Sequence, residues 1–170
     1  MTEMVRAKQS DFEEIVAMYE LCKADLLSKE IYQWDETYPN REYLADCIAE
    51  EHLYVLKENE RIAGAIVLNK WQAEEWQEIS WQFEESDCLI VHTFCIHPDF
   101  QRQGLGSTLL RLVEEHAKAR GYTSIRLDAF AGNPSAWKFY ERKGYEKRGE
   151  IRFTFKPEGH QRYYCYEKAI

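Results

Sequence analysis

The 170-residue chain lacks any run of lysine and arginine, and its acidic residues outnumber its basic ones. Lys and Arg total 22 against 30 Asp and Glu, so the formal net charge is −8 at pH 7 and the isoelectric point is about 5.2. Proteins that bind nucleic acid need clustered cations to displace counterions from the phosphates. The composition therefore argues against nucleic acid as a partner and favours a cationic substrate.

The sequence also lacks the features of a membrane or secreted protein. It has no run of about 18 uncharged apolar residues, and its start, MTEMVRAKQSDFEE, has no apolar stretch typical of a signal peptide. The five cysteines are scattered, odd in number and without a C-x-x-C pair, which argues against a disulfide framework and a zinc site. We expect a cytoplasmic protein with five buried thiols, no membrane partner and no metal.

Internal repeats, low-complexity tracts and linkers rich in Pro, Gly or Ser are missing as well. The hydrophobic content of 45%, with 14% aromatic residues, is enough for one core. Alternating and helical hydrophobic patterns predict the element order β-α-α-β-β-β-α-β-α-β-β. The sequence therefore predicts a single α/β domain over residues 1–170.

A glycine-rich loop follows the predicted central strand, which covers residues 87–96. The sequence HPDFQRQGLGSTLL, residues 97–110, leads from this strand into a helix. A Walker loop would need a lysine after its last glycine, Gly106, and a dinucleotide fingerprint would need a glycine at Leu109. Because neither motif is present, the remaining interpretation is a pyrophosphate held by helix-start amides without nucleotide hydrolysis.

Two segments resemble the signatures of the GNAT superfamily of N-acetyltransferases. Residues 96–110, IHPDFQRQGLGSTLL, resemble its acetyl-CoA signature with the core Q/R-x-x-G-x-G/A. Residues 133–146, NPSAWKFYERKGYE, resemble its second signature, N-x-x-A-x-x-x-Y-x-x-x-G-F, with Tyr145 in place of the usual Phe. The resemblance is weakest over residues 31–39 and 70–86.

The resemblance implies a fold and an activity. The fold is a single GNAT-like α/β domain with a mixed, mostly antiparallel sheet of about seven strands, splayed between the fourth and fifth, and about four flanking helices. The activity is direct transfer of the acetyl group of acetyl-CoA, in a ternary complex, to a primary amine of a small molecule or peptide. Two alternatives stay open: a module that binds acetyl-CoA without turning it over, and an enzyme that uses another acyl-CoA.

The same resemblance implies which residues bind acetyl-CoA. The pyrophosphate is expected on the backbone of a loop made of Gln101, Arg102, Gln103, Gly104, Leu105, Gly106 and Ser107. The pantetheine arm is expected on the backbone of Phe94, Cys95 and Ile96, where an N–H group also stabilises charge on the thioester carbonyl. Asn133 and Ser135 of the second signature complete the predicted cofactor site.

Acetyl transfer to an amine needs one group that removes the amine's proton and one that protonates the departing thiolate. Tyr140 matches the family tyrosine that points at the cofactor sulfur, and its phenol, with an ordinary pKa near ~10, can supply a proton. Strand alternation places His92 on one face with Phe94 and Ile96, at a position where the arylalkylamine acetyltransferases carry a histidine used in proton removal. Other family members carry a glutamate where Ile90 stands. The alternative for Tyr140 is that it is simply an aromatic residue of the core. The alternative for His92 is a buried histidine bonded to a backbone carbonyl, in which case water takes the proton.

Residues 31–39, IYQWDETYP, form what we call the acceptor loop, because in the family such a segment commonly walls the acceptor pocket. Its candidate substrate-binding residues are Tyr32, Trp34 and Tyr38, since aromatic faces attract amine-bearing molecules. The same loop could instead pack on the core.

Residues 70–86, called the insertion below, carry tryptophans at intervals of five, which form no single helical face. We leave open the identity of the acceptor, the role of the insertion and the oligomeric state, including a homodimer.

Overall fold

The computed structural model describes all 170 residues, Met1–Ile170, and contains seven strands and four α-helices. The strands are β1 (Thr2–Arg6), β2 (Leu53–Glu58), β3 (Arg61–Asn69), β4 (Cys88–Ile96), β5 (Ser124–Phe130), β6 (Glu146–Arg152) and β7 (Arg162–Ala169). The helices are α1 (Phe12–Ser28), α2 (Arg41–Ala49), α3 (Leu105–Ala119) and α4 (Pro134–Arg142). The predicted element order is confirmed. None of these helices has both the length and the apolar character needed to cross a membrane.

Local sequence signals explain where two of these elements begin and turn. α2 starts after Asn40, whose side-chain oxygen accepts a hydrogen bond from the Tyr43 N–H over 2.8 Å, the usual arrangement of a helix N-cap. β2 and β3 are joined by Asn59 and Glu60, with φ angles of 51° and 70°. Two positive φ angles in a two-residue connection are typical of a type I′ turn, whose twist matches that of a β-hairpin.

The strands form one sheet in the order β1-β2-β3-β4-β5-β7-β6. The pairs β1–β2, β2–β3, β5–β7 and β6–β7 are antiparallel, whereas β4 and β5 are parallel. The parallel register runs from Cys88 opposite Ser124 to Ile90 opposite Arg126, near the start of the nine-residue β4. The predicted mixed, mostly antiparallel sheet with four helices is confirmed, and this short parallel pairing agrees with the predicted splay.

The chain forms two compact units, one made of Met1–Leu68 and His92–Val113 and the other of Asn69–Val91 and Glu114–Ile170. In the first unit, apolar side chains of α1, α2, β2 and β3 form one buried cluster that includes Ile15, Leu44 and Val55. Each fully buried aliphatic side chain of this kind contributes about 1.5–3 kcal/mol to folding. The single domain over residues 1–170 stays a prediction.

In the second unit, a buried ion pair joins β5 to β7. Arg126 Nε donates to Glu167 Oε2 over 3.1 Å, and the two side chains are 3% and 0% exposed. The insertion supplies further partners: Arg126 donates to Gln72 Oε1 and to the Phe83 carbonyl, and the N–H groups of Gln82 and Phe83 donate to Glu167. Because buried charges are costly unless they are hydrogen-bonded, this network holds the insertion on β5 and β7.

The insertion contains 3-10 turns at Glu74–Glu78 and Glu85–Asp87 and no α-helix. This agrees with its tryptophan spacing, which argues against an amphipathic helix. Its tryptophans have different environments. Trp71 is 65% exposed, Trp76 is 3% exposed, and the indole N–H of Trp81 donates to the Trp76 carbonyl over 3.1 Å. Elsewhere in the chain, all five cysteines are buried thiols, as predicted.

Candidate active site

The loop between β4 and α3 has the backbone geometry of an anion site. Arg102 and Gly104 have left-handed φ angles of 64° and 77°. The Thr108 N–H donates to the Gly104 carbonyl over 3.1 Å, so the N–H groups of residues 105–107 precede the helical hydrogen-bonding pattern. A Cβ at Gly104 would meet no heavy atom within 4 Å, so the loop is open at this point. Helix-start N–H groups and the positive end of the helix dipole attract a phosphate.

Polar side chains of this loop bond to the loop and to the strand before it. Gln101 Nε2 donates to the Ile96 carbonyl over 3.3 Å, and Gln103 Nε2 donates to the Asp99 carbonyl over 3.4 Å. His97 Nδ1 accepts the Asp99 N–H over 3.0 Å and thereby caps the 3-10 turn that follows it. These contacts give the loop its shape.

The end of β4 lies close to β3 at Gly64, a residue that the sequence did not single out. A Cβ at Gly64 would lie 2.8 Å from Ile96 Cδ1 and 2.9 Å from the Cys95 carbonyl oxygen. Only glycine permits this approach without a shift of the backbone. Gly64 therefore helps to place the Phe94–Ile96 backbone, where the pantetheine arm is predicted. Its position inside an apolar strand concealed this role.

The backbone of β4 changes conformation at Thr93. This residue has a φ of 54°, which is unusual for a β-branched residue, and its side chain is buried. The prediction of a common face for His92 and Phe94 assumes an extended backbone, from which Thr93 departs, but burial still alternates over residues 91–96, with residues 92, 94 and 96 partly exposed. His92 is partly exposed and lies directly before Thr93.

Three phenols surround Thr93, and the sequence predicted none of these contacts. The Tyr19 hydroxyl donates to the Thr93 carbonyl over 2.7 Å. Thr93 Oγ1 lies 2.5 Å from the Tyr38 hydroxyl and 3.0 Å from the Tyr43 hydroxyl. Burial raises the pKa of Tyr19 and of Tyr43 well above the ordinary value, so both phenols stay protonated in neutral solution.

Two of the three residues predicted to bind the acceptor contact the protein itself. Tyr38 bonds to Thr93, and the Trp34 ring lies 5.8 Å from the Tyr19 ring, tilted by 59°. Tyr32 is 43% exposed. Trp34 and Tyr38 thus pack on side chains of the first unit, and Tyr32 is the most exposed aromatic side chain of the acceptor loop.

In the second unit, the start of the second signature forms the start of α4. Asn133 is buried, and its side-chain oxygen accepts a hydrogen bond from the Ala136 N–H over 3.3 Å. Asn133 is therefore the N-cap of α4. Its predicted contact with the pantetheine arm would be a second role, in addition to this structural one. Ser135 lies in the first turn of α4 and is exposed.

Tyr140 lies on α4 within an aromatic cluster. Its ring centroid is 5.4 Å from that of Phe139, 6.0 Å from that of Tyr145 and 6.5 Å from that of Tyr166. Burial, and secondarily the negative charge of Asp128, raise the pKa of Tyr140 above its ordinary value. A phenol in this environment is neutral at working pH, so it can donate a proton but is unsuited to act as a base.

Asp128, on β5, is a further ionisable group that the sequence did not single out. Its Oδ2 accepts a hydrogen bond from the Trp76 indole over 3.0 Å. Desolvation raises its pKa to about 6, whereas the Trp76 bond and the charge of Lys156 lower it. A carboxyl with such a pKa exchanges its proton near neutral pH, as a general base must. No sequence motif marks Asp128, because its pKa depends on Trp76, which lies 52 residues away.

The comparisons with known proteins agree with this geometry. The family model of the Acetyltransferase (GNAT) family matches residues 14–145. The chain is 30% identical over 103 residues to YesJ of Bacillus subtilis strain 168, named as an uncharacterized N-acetyltransferase; the match covers 60% of this chain and 57% of that protein. It is 35% identical over 77 residues to the [ribosomal protein bS18]-alanine N-acetyltransferase of Salmonella typhimurium, covering 44% and 51% of the two chains.

A solved structure shows the same fold over nearly the whole chain. The GNAT-family acetyltransferase of Streptococcus agalactiae 2603 superposes with a TM-score of 0.85 at 20% identity, covering 99% of this chain and 95% of that one. In contrast, the sequence matches above span about half the length of the curated relatives.

Proposed function

Because the chain belongs to the acetyltransferase (GNAT) family, we propose that it moves the acetyl group of acetyl-CoA directly to a primary amine of a small molecule or peptide, in a ternary complex. The observation that carries this proposal is the open, left-handed loop at Gly104 that leads into α3. Family membership supports an acetyltransferase, and this loop supports a pyrophosphate-bearing donor.

Acetyl-CoA, when bound, supplies an acetyl thioester. We assign its pyrophosphate to the backbone of residues 101–107 and its pantetheine arm to the backbone of Phe94–Ile96. Close approach at Gly64 and the Gln101 bond to the Ile96 carbonyl hold these two segments in place. Asn133 and Ser135 belong to the second signature and are assigned to the same arm. A preformed backbone site of this kind binds an anion without ordering long side chains.

Two protons move during the proposed reaction. The Tyr140 phenol, kept neutral by burial and by the charge of Asp128, donates a proton to the leaving sulfur. His92 or Asp128 accepts the proton of the amine. His92 is an imidazole, a common proton acceptor in catalysis, whereas Asp128 has a pKa raised to about 6 and acts electrostatically on Tyr140. The raised pKa favours Asp128.

The acceptor is proposed to be cationic in solution. The net charge of −8 favours a positively charged substrate, and the exposed Tyr32 offers it an aromatic surface. The relative from Salmonella typhimurium is named for transfer to an alanine of ribosomal protein bS18, so peptide N-termini belong among the candidates. We also propose a cytoplasmic location. The oligomeric state, including a homodimer, is left open.

Turnover is tested with a panel of amines and acetyl-CoA, by following the release of free thiol. The panel contains polyamines, amino acids, aminoglycosides, arylalkylamines and peptides with a free N-terminus. Release that depends on one class of amine supports the proposal. Binding of acetyl-CoA without turnover on any amine would favour the non-catalytic module, and faster turnover with propionyl- or succinyl-CoA would favour the other acyl donor.

The donor site is tested separately with two matched glycines. Gly104 and Gly121 have φ angles of 77° and 85°, and a Cβ at either would meet nothing within 4 Å. Alanine at either position adds similar backbone strain, but only Gly104 lies in the proposed site. We expect Gly104→Ala to weaken acetyl-CoA binding by about tenfold or more, and Gly121→Ala to leave it within about twofold, as measured by calorimetry. Equal affinities for the two variants would contradict the assignment of the loop.

A further inference from the structure

The Thr93 hydroxyl lies where the acceptor loop meets β4. Thr93 Oγ1 contacts the Tyr38 hydroxyl, at the end of the acceptor loop, over 2.5 Å and the Tyr43 hydroxyl, on α2, over 3.0 Å. A threonine hydroxyl can donate one hydrogen bond and accept two, so it can serve both phenols at once. The hydroxyl therefore connects β4 to the acceptor loop and to α2, whose contact residues lie 55 and 50 residues before it.

The Thr93 backbone has a separate partner. The Tyr19 hydroxyl, on α1, donates to the Thr93 carbonyl over 2.7 Å. Tyr19 is fully buried, and the left-handed conformation of Thr93 is one that only well-packed surroundings maintain. The Tyr19 contact acts on the strand itself, whereas the Tyr38 contact acts on the loop. The two effects can thus be separated by substitution.

The end of the acceptor loop is a compact turn, so the Tyr38 bond to β4 bears on several residues. The N–H of Asp35 donates to the Tyr38 carbonyl over 3.1 Å, and the N–H of Tyr38 donates to the Asp35 carbonyl over 3.3 Å. The N–H of Thr37 donates to the Asp35 carboxylate over 2.8 Å, and Asn40 Nδ2 donates to the Thr37 carbonyl over 3.0 Å. Loss of the Tyr38 bond would release this turn as a unit.

We propose that Thr93 is a positioning residue, whose hydroxyl sets the place of the acceptor loop and thereby the affinity for the amine, while its carbonyl, held by Tyr19, shapes the strand that binds the donor. This inference rests on the proposed function of the loop and strand. The Tyr43 phenol, the second partner of the hydroxyl, stays neutral near pH 7, because burial raises the pKa of Tyr43.

The experiment compares Thr93→Val, Thr93→Ser and Tyr38→Phe. Valine keeps the branched shape without the hydroxyl, and serine keeps the hydroxyl. We expect Thr93→Val and Tyr38→Phe to raise the KM for the amine by about fivefold or more, with little change in kcat and with acetyl-CoA affinity within about twofold. Thr93→Ser should restore the wild-type KM. Tyr54→Phe is the matched control, because its hydroxyl bonds to Arg6 instead.

Tyr19→Phe tests the other half of the proposal, and we expect it to weaken acetyl-CoA binding more than it raises the KM for the amine. A double variant, Tyr38→Phe with Thr93→Val, should be no worse than Thr93→Val alone, because Thr93→Val already removes the bond that Tyr38→Phe removes. An unchanged KM in Thr93→Val, equal losses of donor and acceptor binding, or failure of serine to restore the KM would each overturn the proposal.

A readout without turnover separates this inference from the proposed function. Amide hydrogen exchange over residues 31–39 should be faster by about fivefold or more in Thr93→Val and Tyr38→Phe than in wild type, Thr93→Ser and Tyr54→Phe. Faster exchange in an enzyme with no activity on any amine would contradict the proposed function alone. Unchanged exchange, with activity present, would contradict the role of the Thr93 hydroxyl alone.

Discussion

The Trp76 indole donates a hydrogen bond to Asp128 Oδ2 over 3.0 Å, so that a tryptophan of the insertion holds a carboxyl of β5. The insertion therefore does more than cover the sheet. Desolvation and the charge of Glu75 raise the pKa of Asp128, while the Trp76 bond and Lys156 lower it, for a value of about 6. The charge of Asp128 in turn raises the pKa of Tyr140 and of Cys165, its cross-strand partner on β7.

Asp128→Asn should make the protein more stable at high pH. The pKa of Asp128 is raised from 3.8 to about 6, so the folded state favours the protonated form. That favourable contribution is fully present below about pH 4 and is lost as the pH rises through about 6. Asparagine removes the buried charge and can still accept the Trp76 bond. We expect a gain of about 1–3 kcal/mol in the free energy of unfolding at pH 8, and little difference at pH 4.

Urea unfolding at both pH values measures this effect. Asp99→Asn is a suitable control, since its carboxylate is 70% exposed and lies 3.9 Å from Arg61. A variant at Asp128 that is less stable than wild type at pH 8 would show that the carboxylate is held by interactions stronger than its desolvation.

The identity of the base is decided by the pH dependence of kcat/KM. A base in the free enzyme produces a rise in kcat/KM through its own pKa, which is about 6 for Asp128. We expect Asp128→Asn to flatten this rise and to slow turnover by about 10²-fold, with acetyl-CoA affinity unchanged. His92→Gln should do the same if His92 is the base. A full pH profile and rate in both variants would assign proton removal to water.

Tyr140→Phe should lower kcat by about tenfold or more with little change in acetyl-CoA affinity, because the proton it supplies is needed only as the sulfur leaves. Tyr145→Phe is the matched control. Tyr145 belongs to the same aromatic cluster, but its hydroxyl donates to Glu114 over 2.9 Å. Single-turnover kinetics report the chemical step. Equal rates for the two variants would show that Tyr140 contributes only packing and does not supply the proton.

Glu167→Gln should destabilise the second unit by about 3–5 kcal/mol, since it leaves Arg126 charged and buried without its partner. Replacing both residues, as Arg126→Met with Glu167→Leu, should cost less than the single change, because Arg126 is then no longer a buried unpaired charge and Arg148, which also contacts Glu167, keeps its pair with Glu146. Glu150→Gln provides a surface control. Glu150 pairs with Arg162 over 2.8 Å at 39% exposure, where solvent screens the pair, and its loss should have a much smaller effect.

Urea unfolding and hydrogen exchange over the insertion test this prediction together. The insertion should exchange faster in Glu167→Gln, because its Gln82 and Phe83 N–H groups lose their charged acceptor. Slow exchange in a destabilised protein would mean that the tryptophans, rather than the ion pair, hold the insertion in place.

Local patterns allowed much of the fold to be predicted. Helical and alternating hydrophobic periodicities set the element order, and the spacing of Gly104 and Gly106 before an apolar helix face marked the donor loop. The spacing from Asn133 to Tyr140 marked the second signature. These features are carried by residues close together in sequence, where side-chain periodicity and backbone freedom act directly. The backbone of β4 was less predictable, since no local pattern marks the left-handed conformation of Thr93.

The sequence by itself determined the family resemblance, the element order and the loop expected to hold a pyrophosphate, because each depends on neighbouring residues. Only the tertiary structure decided the surroundings of the reactive groups. Thr93 meets Tyr19, Tyr38 and Tyr43 across separations of 74, 55 and 50 residues, and Asp128 meets Trp76 across 52. Burial and hydrogen bonding, which determine the pKa of a carboxyl and the position of a loop, arise from such distant contacts, and no local pattern encodes them.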